Sequence, residues 1–563
     1  MNRKTELISH TSSPPARHTE EAAPSFTREE IISSRLRLAR VVPYQHSATP
    51  LWSNLALAIF SGILLTFAFP EWSLWSLGWV GTAPLIMAIA RERRFWRALL
   101  LGLVTGTILY AGSSHWVTHS MHYYGGIPLW ISFALMLVIA LVLGSFTAVF
   151  AVSLALGIRR FGGWAILAAP ILWAASEWLR HKTTGVGWIA LGYSQSFQPA
   201  VIQIARWGGV YAVSALLVFA SAALVFAVIY LERRRGFIAL SISIIVSIAA
   251  VSYGLTIRPD GYPARTISIA VIQPNDPIEA AWSDHQVIDQ AIEDHINLSL
   301  RAMETEKANS NAKKIDLVVW PESPMSLNYE RDSATRRALA DFTSRNQVYL
   351  LFDDWGYAKE NDDPSNLYNS AMVIAPSGER ISRYDKIALM PFGEYVPARG
   401  WIPFMDRVPA LVADLAPGTS PTLSDVAGVR LGTLICFEAI RPELARRFRL
   451  EGAQVMTQLS NETWFGQTAL ARQMLAHAVF RAVENDCELI RATNSGQSAR
   501  IDRYGAIYDE TPSFQTTTRV WRVEVASDRL TFYTRYGDVF AWTCAAMGAM
   551  MLIASLLPRR EEE

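Results

Sequence analysis

A membrane span needs about 20 predominantly apolar residues, and this chain carries eight stretches of that kind. Seven come first, at 51–69, 74–90, 98–114, 129–157, 163–179, 209–231 and 237–256; the eighth, 537–557, nearly ends the sequence. Backbone polar groups inside a bilayer must be satisfied within the chain itself, so helices are the expected form. Several runs hold Gly or Pro, which spans tolerate, and 129–157 is long enough to tilt or to extend past the bilayer. Between the seventh and eighth runs, residues 257–536 have ordinary globular composition. A hydrophobic content of 51% over 563 residues fits this division better than a soluble enzyme or a pure membrane bundle. The net charge of +1, with no clustered basic stretch, gives no footing for a nucleic-acid partner.

Basic residues set the orientation. The connections after the second, fourth and sixth runs carry Arg91, Arg93, Arg94 and Arg97, then Arg159 and Arg160, then Arg233, Arg234 and Arg235, and the C-terminus adds Arg559 and Arg560. The opposite connections 70–73 and 115–128 hold no Lys or Arg, and 180–208 holds only Arg180, Lys182 and Arg206. Both termini are therefore expected in the cytoplasm, with 257–536 outside it. Residues 1–50, polar with Ser13-Pro14-Pro15 and with Arg35, Arg37 and Arg40, read as a disordered cytoplasmic tail ending in a basic patch at the membrane edge.

Two features lie at the outer rim. His115, His119 and His122 share one face if a helix continues there; they form either a metal site, with no carboxylate nearby in sequence, or an interfacial belt with Trp116, Tyr123 and Tyr124 bordering a lipid head-group pocket. Glu177 and Arg180 are i, i+3 neighbours near the end of the fifth run, and either pair and snorkel or face the bundle interior.

Within 257–536, strand-like runs at 266–273, 315–320, 348–352, 371–374, 429–435, 455–459 and 489–493 alternate with helical patterns at 284–307, 331–345, 441–450 and 468–486. That alternation predicts a layered α/β domain with buried strands. Its conspicuous polar residues follow strands directly: Glu322, Cys436 and Asn461-Glu462. Strand ends are where such a scaffold places chemistry. Cys436 is a candidate nucleophile, since a helix expected to start near Pro442 and a nearby ammonium would lower its pKa; the bland alternative is a buried structural cysteine. Glu322 beside a thiol could take and return a proton, or simply cap a helix. Lys386 could stabilise an oxyanion, or be a surface lysine. Three cysteines cannot build a disulfide framework. A Cys436–Cys487 bond is the remaining possibility, and Cys544, inside an apolar run, reads as inert filling.

The order Glu322 in Trp-Pro-Glu, Lys386 in Tyr-Asp-Lys and Cys436 in Ile-Cys-Phe-Glu resembles the Glu–Lys–Cys triad of the nitrilase superfamily. Met390-Pro-Phe-Gly-Glu-Tyr-Val-Pro397, Ser460-Asn-Glu-Thr-Trp-Phe-Gly466, Arg491-Ala-Thr-Asn-Ser-Gly496 and, in the membrane half, Trp116 to Gly126 extend the resemblance to bacterial apolipoprotein N-acyltransferases over roughly residues 51–560. The resemblance implies an αββα sandwich joined to an eight-span bundle in the inner membrane, with a periplasmic catalytic domain. It also implies transfer of an acyl chain from a phospholipid, through a Cys436 thioester, to a diacylglyceryl-cysteine lipoprotein, with no metal or organic cofactor. Glu322 would be general base, and Lys386 with the Phe437 N–H would stabilise the oxyanion. Glu394 matches a second family glutamate, Trp282 a tryptophan on an active-site arm, and Phe437-Glu438 the pair after the nucleophile. Met474 stands where the family commonly has His after Gln473, and Gly187 where Pro is frequent before Trp188. Competing readings are a membrane-tethered nitrilase-type amidase that lets water resolve the thioester, and a non-enzymatic scaffold or transporter.

Overall fold

The computed structural model describes residues 50–557 apart from 93, 231–233, 258–264, 279–284, 309–312, 323–326, 359–362, 364 and 398–412. The expected tail (1–49), Arg559, Arg560 and Trp282 lie outside the described residues, as do Arg93 and Arg233.

The N-terminal half is helical: α1 (Leu51–Ala68), α2 (Ala83–Ala90), α3 (Phe95–Ser113), α4 (Val117–Tyr123), α5 (Leu129–Phe161), α6 (Ala169–Thr184), α7 (Ala205–Ile229) and α8 (Arg234–Thr256). Among the described residues, six helical stretches are long and apolar enough to cross a membrane: 51–68, 95–113, 129–184, 205–229, 234–256 and, near the C-terminus, 539–556. Two of the eight expected runs take another form. The run 74–90 is a 3-10 turn, Trp75–Trp79, followed by the short α2 with Pro84 in its first turn. The run 163–179 is continuous with α5 in composition, but Gly162 (φ 70°, ψ −162°) and a 3-10 segment, Gly162–Ala168, interrupt the helix before α6. That backbone conformation is open to glycine and costly for other residues. Small residues also set the packing of α3 on α5: a Cβ at Gly106 would stand 2.7 Å from Gly144 Cα, so the two backbones meet directly.

The second half begins with β1 (Thr266–Gln273), α9 (His285–Lys307), β2 (Leu317–Val319), α10 (Ser333–Asn346), β3 (Tyr349–Tyr357), β4 (Leu367–Ile374) and β5 (Arg380–Asp385). It continues through β6 (Leu423–Val426), β7 (Val429–Ile435), α11 (Pro442–Leu450), β8 (Val455–Ser460), α12 (Leu470–Asn485), β9 (Leu489–Thr493), β10 (Ala499–Ile501), β11 (Ile507–Tyr508) and β12 (Thr517–Glu524), before α13 (Val539–Leu556). The strands form two six-stranded sheets, ordered β12-β1-β2-β3-β4-β5 and β11-β10-β9-β8-β7-β6. Strands β1–β3 run parallel, as do β7–β9, and the outer strands of both sheets are antiparallel.

Gln273, at the end of β1, ties the layers together. Its Oε1 accepts from the hydroxyls of Thr493, Ser498 and Thr511 at 3.2, 2.8 and 2.7 Å. Apolar residues of α9 and α10 pack with Ile272, Val318, Phe352 and Met372 in the core of the first sheet. Helix α12 is buried along its length except at Arg472, because it lies between the second sheet and membrane helix α7. The result is the expected αββα sandwich joined to a helical bundle.

Candidate active site

Three strand ends bring the chemistry together. Glu322 lies three residues after β2, Lys386 directly after β5, and Cys436 directly after β7. Lys386 is almost fully buried, with its Nζ 2.8 Å from Glu394 Oε1 and 3.5 Å from Glu322 Oε1. Asn369, from β4, donates through Nδ2 to both carboxylates, at 2.9 Å to Glu394 and 3.1 Å to Glu322. Glu322 Oε2 accepts the Asn461 backbone N–H at 3.0 Å, and the Glu322 carboxylate acts directly on the Cys436 thiol. The Glu394 side chain is fixed in turn by the Met390 N–H at 2.8 Å.

The backbone aims the sulfur. Cys436 has φ +50°, a left-handed conformation that strains a non-glycine residue by about 1–3 kcal/mol. Glu438 holds the turn: its Oε2 accepts the Ile435 N–H at 2.9 Å, while Oε1 accepts from Tyr384 OH (2.8 Å), Ile387 N (2.7 Å) and Ala388 N (3.0 Å). One buried carboxylate thus clamps the Cys436 turn to the segment carrying Lys386. Gln458 Nε2 adds a bond to the Cys436 carbonyl at 3.1 Å. The helix expected to start near Pro442 does so, and a 3-10 turn, Cys436–Ile440, stands between it and the sulfur.

The electrostatics correct one expectation. The Cys436 thiol is pushed well above its ordinary range, first by burial and then by the Glu322 carboxylate, with Lys386 opposing and Glu462 adding. Helix and ammonium therefore do not prevail, and the resting sulfur keeps its proton. Burial likewise raises Glu322; Lys386 pulls it back and Glu394 adds to the rise. For Lys386 burial alone would lower the pKa, but Glu394 and then Glu322 and Cys436 outweigh it, holding the ammonium well above its usual value. The arrangement sets a protonated thiol beside a carboxylate and an ammonium held in its charged form. It can pass a proton from sulfur to Glu322 as a bond to carbon forms, and stabilise an oxyanion.

Beside the sulfur, Ser460 Oγ lies 3.7 Å from Cys436 Sγ and donates to Glu462 at 2.7 Å, and Glu462 pairs with buried Arg491. The thiol opens on a small cavity lined by Cys436, Phe437, Met390, Ser460, Asn461 and Glu462, with Phe465, Leu470 and Met474 adding apolar surface. Trp116 and Trp188, from the membrane half, complete the wall. Phe437 lies nearly parallel to Trp188 (14°, centroids 6.3 Å apart). Met474, one of the two departures from the family pattern, thus faces the site. At the other, a Cβ on Gly187 would come 3.0 Å from His181 Nδ1 and 3.2 Å from the Ile440 carbonyl, which explains a small residue there.

All three cysteines are free thiols, so the Cys436–Cys487 bond is not formed. The three rim histidines take separate partners. His115 Nδ1 meets the Gly112 carbonyl at 3.1 Å, His122 Nδ1 the Ile127 carbonyl at 2.9 Å, and His119 packs at a tilt of 36° against Tyr123. A carboxylate does lie near, Glu71, 3.7 Å from His115, because the loop after α1 folds beside them; no metal-holding group occurs among the described residues. Glu177 and Arg180 both face the bundle interior: Glu177 Oε1 accepts from Trp173 Nε1 and Leu191 N, and Arg180 Nη1 donates to the Val186 carbonyl. Asn369, Ser460 and the two tryptophans were not among the expected site residues. The only local signal for Asn369 is a polar side chain within a buried strand.

Comparison with known proteins places this geometry. Residues 61–223 match the family model for the apolipoprotein N-acyltransferase N-terminal domain, and residues 268–532 match the carbon-nitrogen hydrolase model. A curated relative from Geobacter metallireducens, named apolipoprotein N-acyltransferase, is 33% identical over 90% of this chain and 95% of its own length. Another of that name, from Azotobacter vinelandii, is 31% identical over 91% of this chain and 96% of its own. Among solved structures, Saccharomyces cerevisiae Nit3, described as a member of branch 10 of the nitrilase superfamily, is 18% identical. It covers 46% of this chain and 90% of its own with a TM-score of 0.35, a superposition too loose to add to the family match. With two domain models in register and near full-length relatives above 30% identity, this chain belongs to the apolipoprotein N-acyltransferase family.

Proposed function

We propose that the protein moves a fatty acyl chain from a membrane phospholipid to the N-terminal amine of a diacylglyceryl-cysteine lipoprotein, in two steps at Cys436. In the first, Glu322 takes the thiol proton as sulfur attacks the ester carbonyl. Lys386 and the Phe437 N–H stabilise the oxyanion, the C–O bond breaks, and the proton returns to the glycerol oxygen, leaving a lysophospholipid and a thioester. In the second, the lipoprotein amine attacks the thioester; an N–C bond forms, the C–S bond breaks, and the amine proton passes through Glu322 back to sulfur. Glu394 and Asn369 hold Lys386 and Glu322 in place. Glu438 holds the turn that aims the sulfur.

The observation that carries this reading is the junction itself. Cys436, backed by the Glu322 carboxylate and the Lys386 ammonium, opens onto an apolar cavity walled partly by membrane-half tryptophans. A site shared between lipid-facing and catalytic layers keeps water from the thioester, and substrates held in one leaflet meet it at high local concentration. The basic connections support a bacterial inner-membrane location with both termini cytoplasmic and the catalytic domain periplasmic. Incubating the purified protein with labelled phospholipid and a diacylglyceryl peptide tests the reading. Labelled, N-acylated peptide is expected; labelled free fatty acid with unmodified peptide would instead identify a hydrolase.

A further inference from the structure

The carboxamide of Gln473, in the first turn of α12, makes four hydrogen bonds, and all four go to the membrane half. Its Oε1 accepts from Trp116 Nε1 at 3.1 Å and from Trp188 Nε1 at 2.7 Å. Its Nε2 donates to the Pro70 and Ser113 carbonyls, both at 2.8 Å. A primary amide has two N–H groups and two oxygen lone pairs, so none of its capacity is unused. The partners come from the loop after α1, the end of α3, the approach to α4 and the segment after α6. They meet at one buried side chain of the catalytic half.

The two indoles held this way form the membrane-side wall of the Cys436 cavity. Their centroids lie 5.2 Å apart, Trp116 meets Phe465 edge-on at 5.2 Å, and Trp188 lies along Phe437, the residue after the nucleophile. Leu470 and Met474, on either side of Gln473 in α12, line the same cavity. An indole N–H buried without an acceptor is unfavourable, so each ring's orientation depends on that single oxygen.

Resting on the acyl-transfer reading above, we infer that Gln473 is a positioning residue which sets the tryptophan wall and thereby selects the acyl chain loaded onto Cys436. Replacing it with Leu strands two indole N–H groups, the rings turn to find acceptors, and the space beside the sulfur changes shape. Trp188→Phe keeps an aromatic ring but removes one of the N–H groups, so it perturbs the same wall while leaving every residue of α12 in place.

The test offers the detergent-solubilised full chain an equimolar mixture of phospholipids differing only in acyl length. The chains trapped on Cys436 are read by intact mass, with kcat and KM measured for single donors. Gln473→Leu and Trp188→Phe are each expected to shift the relative preference between the longest and shortest chains by about tenfold, as a change of pocket shape does. The double variant should shift it no further than Gln473→Leu alone, because that variant has already lost the Trp188 contact. A chain profile unchanged in Trp188→Phe, or a uniform loss on every donor in Gln473→Leu, would overturn the inference and leave Gln473 as a fastening between halves. Failure of the underlying acyl-transfer reading looks different: the wild-type chain would then trap no acyl group at all.

Discussion

The two walls around Cys436 are built on opposite plans. On one side Glu322, Lys386, Glu394 and Asn369 come from a single sheet and its strand ends, and they bond one another before any substrate arrives. On the other, Trp116, Trp188, Phe465, Leu470 and Met474 come from the membrane half and the segments packed on it, and their apolar surface faces the cavity. The first wall is pre-arranged charge, which stabilises a transition state without reorganisation. The second contributes shape and dryness, and its polar atoms are spent behind it, on Gln473. The contrast implies that chemistry and chain choice are separable, and that substitutions should sort accordingly.

The largest effect is expected on the charged wall. Glu322→Gln removes the proton acceptor, and the burst of lysophospholipid should slow by about 10²–10⁴-fold with little change in the acyl chains trapped; an unchanged burst would mean that the carboxylate does not activate the thiol. The pH dependence sharpens the same point. Burial raises the Glu322 pKa, so its basic form appears only above the usual carboxylate range, and the burst rate should climb with pH through one elevated carboxyl titration. The thiol is also held well above its usual value, so no second rise belongs in the ordinary thiol range. If Glu322→Gln acquired such a rise as its main activity, a free thiolate would be the nucleophile. Next in size, Glu394→Gln takes from Lys386 its nearest carboxylate, a charged contact worth about 1.5–3 kcal/mol. The burst rate constant should fall by roughly 10- to 100-fold. The smallest effect belongs to the apolar wall: Met474→Leu conserves volume, so thermal unfolding should show a loss below about 1.5 kcal/mol, and the burst rate should stay close to wild type.

The charged wall was the more legible in the sequence, for a physical reason. Glu322 and Cys436 each follow a strand that a short apolar run announces, and β7 and β9 occupy the residues expected for them; Lys386 was placed by its Tyr-Asp-Lys motif alone. The apolar wall depends on contacts such as Trp116–Gln473, 357 residues apart, and Trp188–Gln473, 285 apart, which no local pattern encodes. Strand β5, Arg380–Asp385, was missed because its partly exposed, charged residues do not read as a buried strand. The sign of the Cys436 shift was missed because a helix start and a lysine are visible in the chain. The burial and the carboxylates of Glu322 and Glu462 are visible only once it folds. Hydropathy marked the apolar runs but not the 3-10 segments at Trp75–Trp79 and Gly162–Ala168 that shorten two of them.

Intact-mass analysis of the full-length protein after brief exposure to a phospholipid of defined acyl composition tests the central claim most directly. The account predicts one added acyl group per chain, lost on treatment with neutral hydroxylamine, mapped to the peptide containing Cys436 and absent from Cys436→Ala. An acyl group retained in Cys436→Ala, or no adduct in a wild-type protein that still acylates its acceptor, would contradict it.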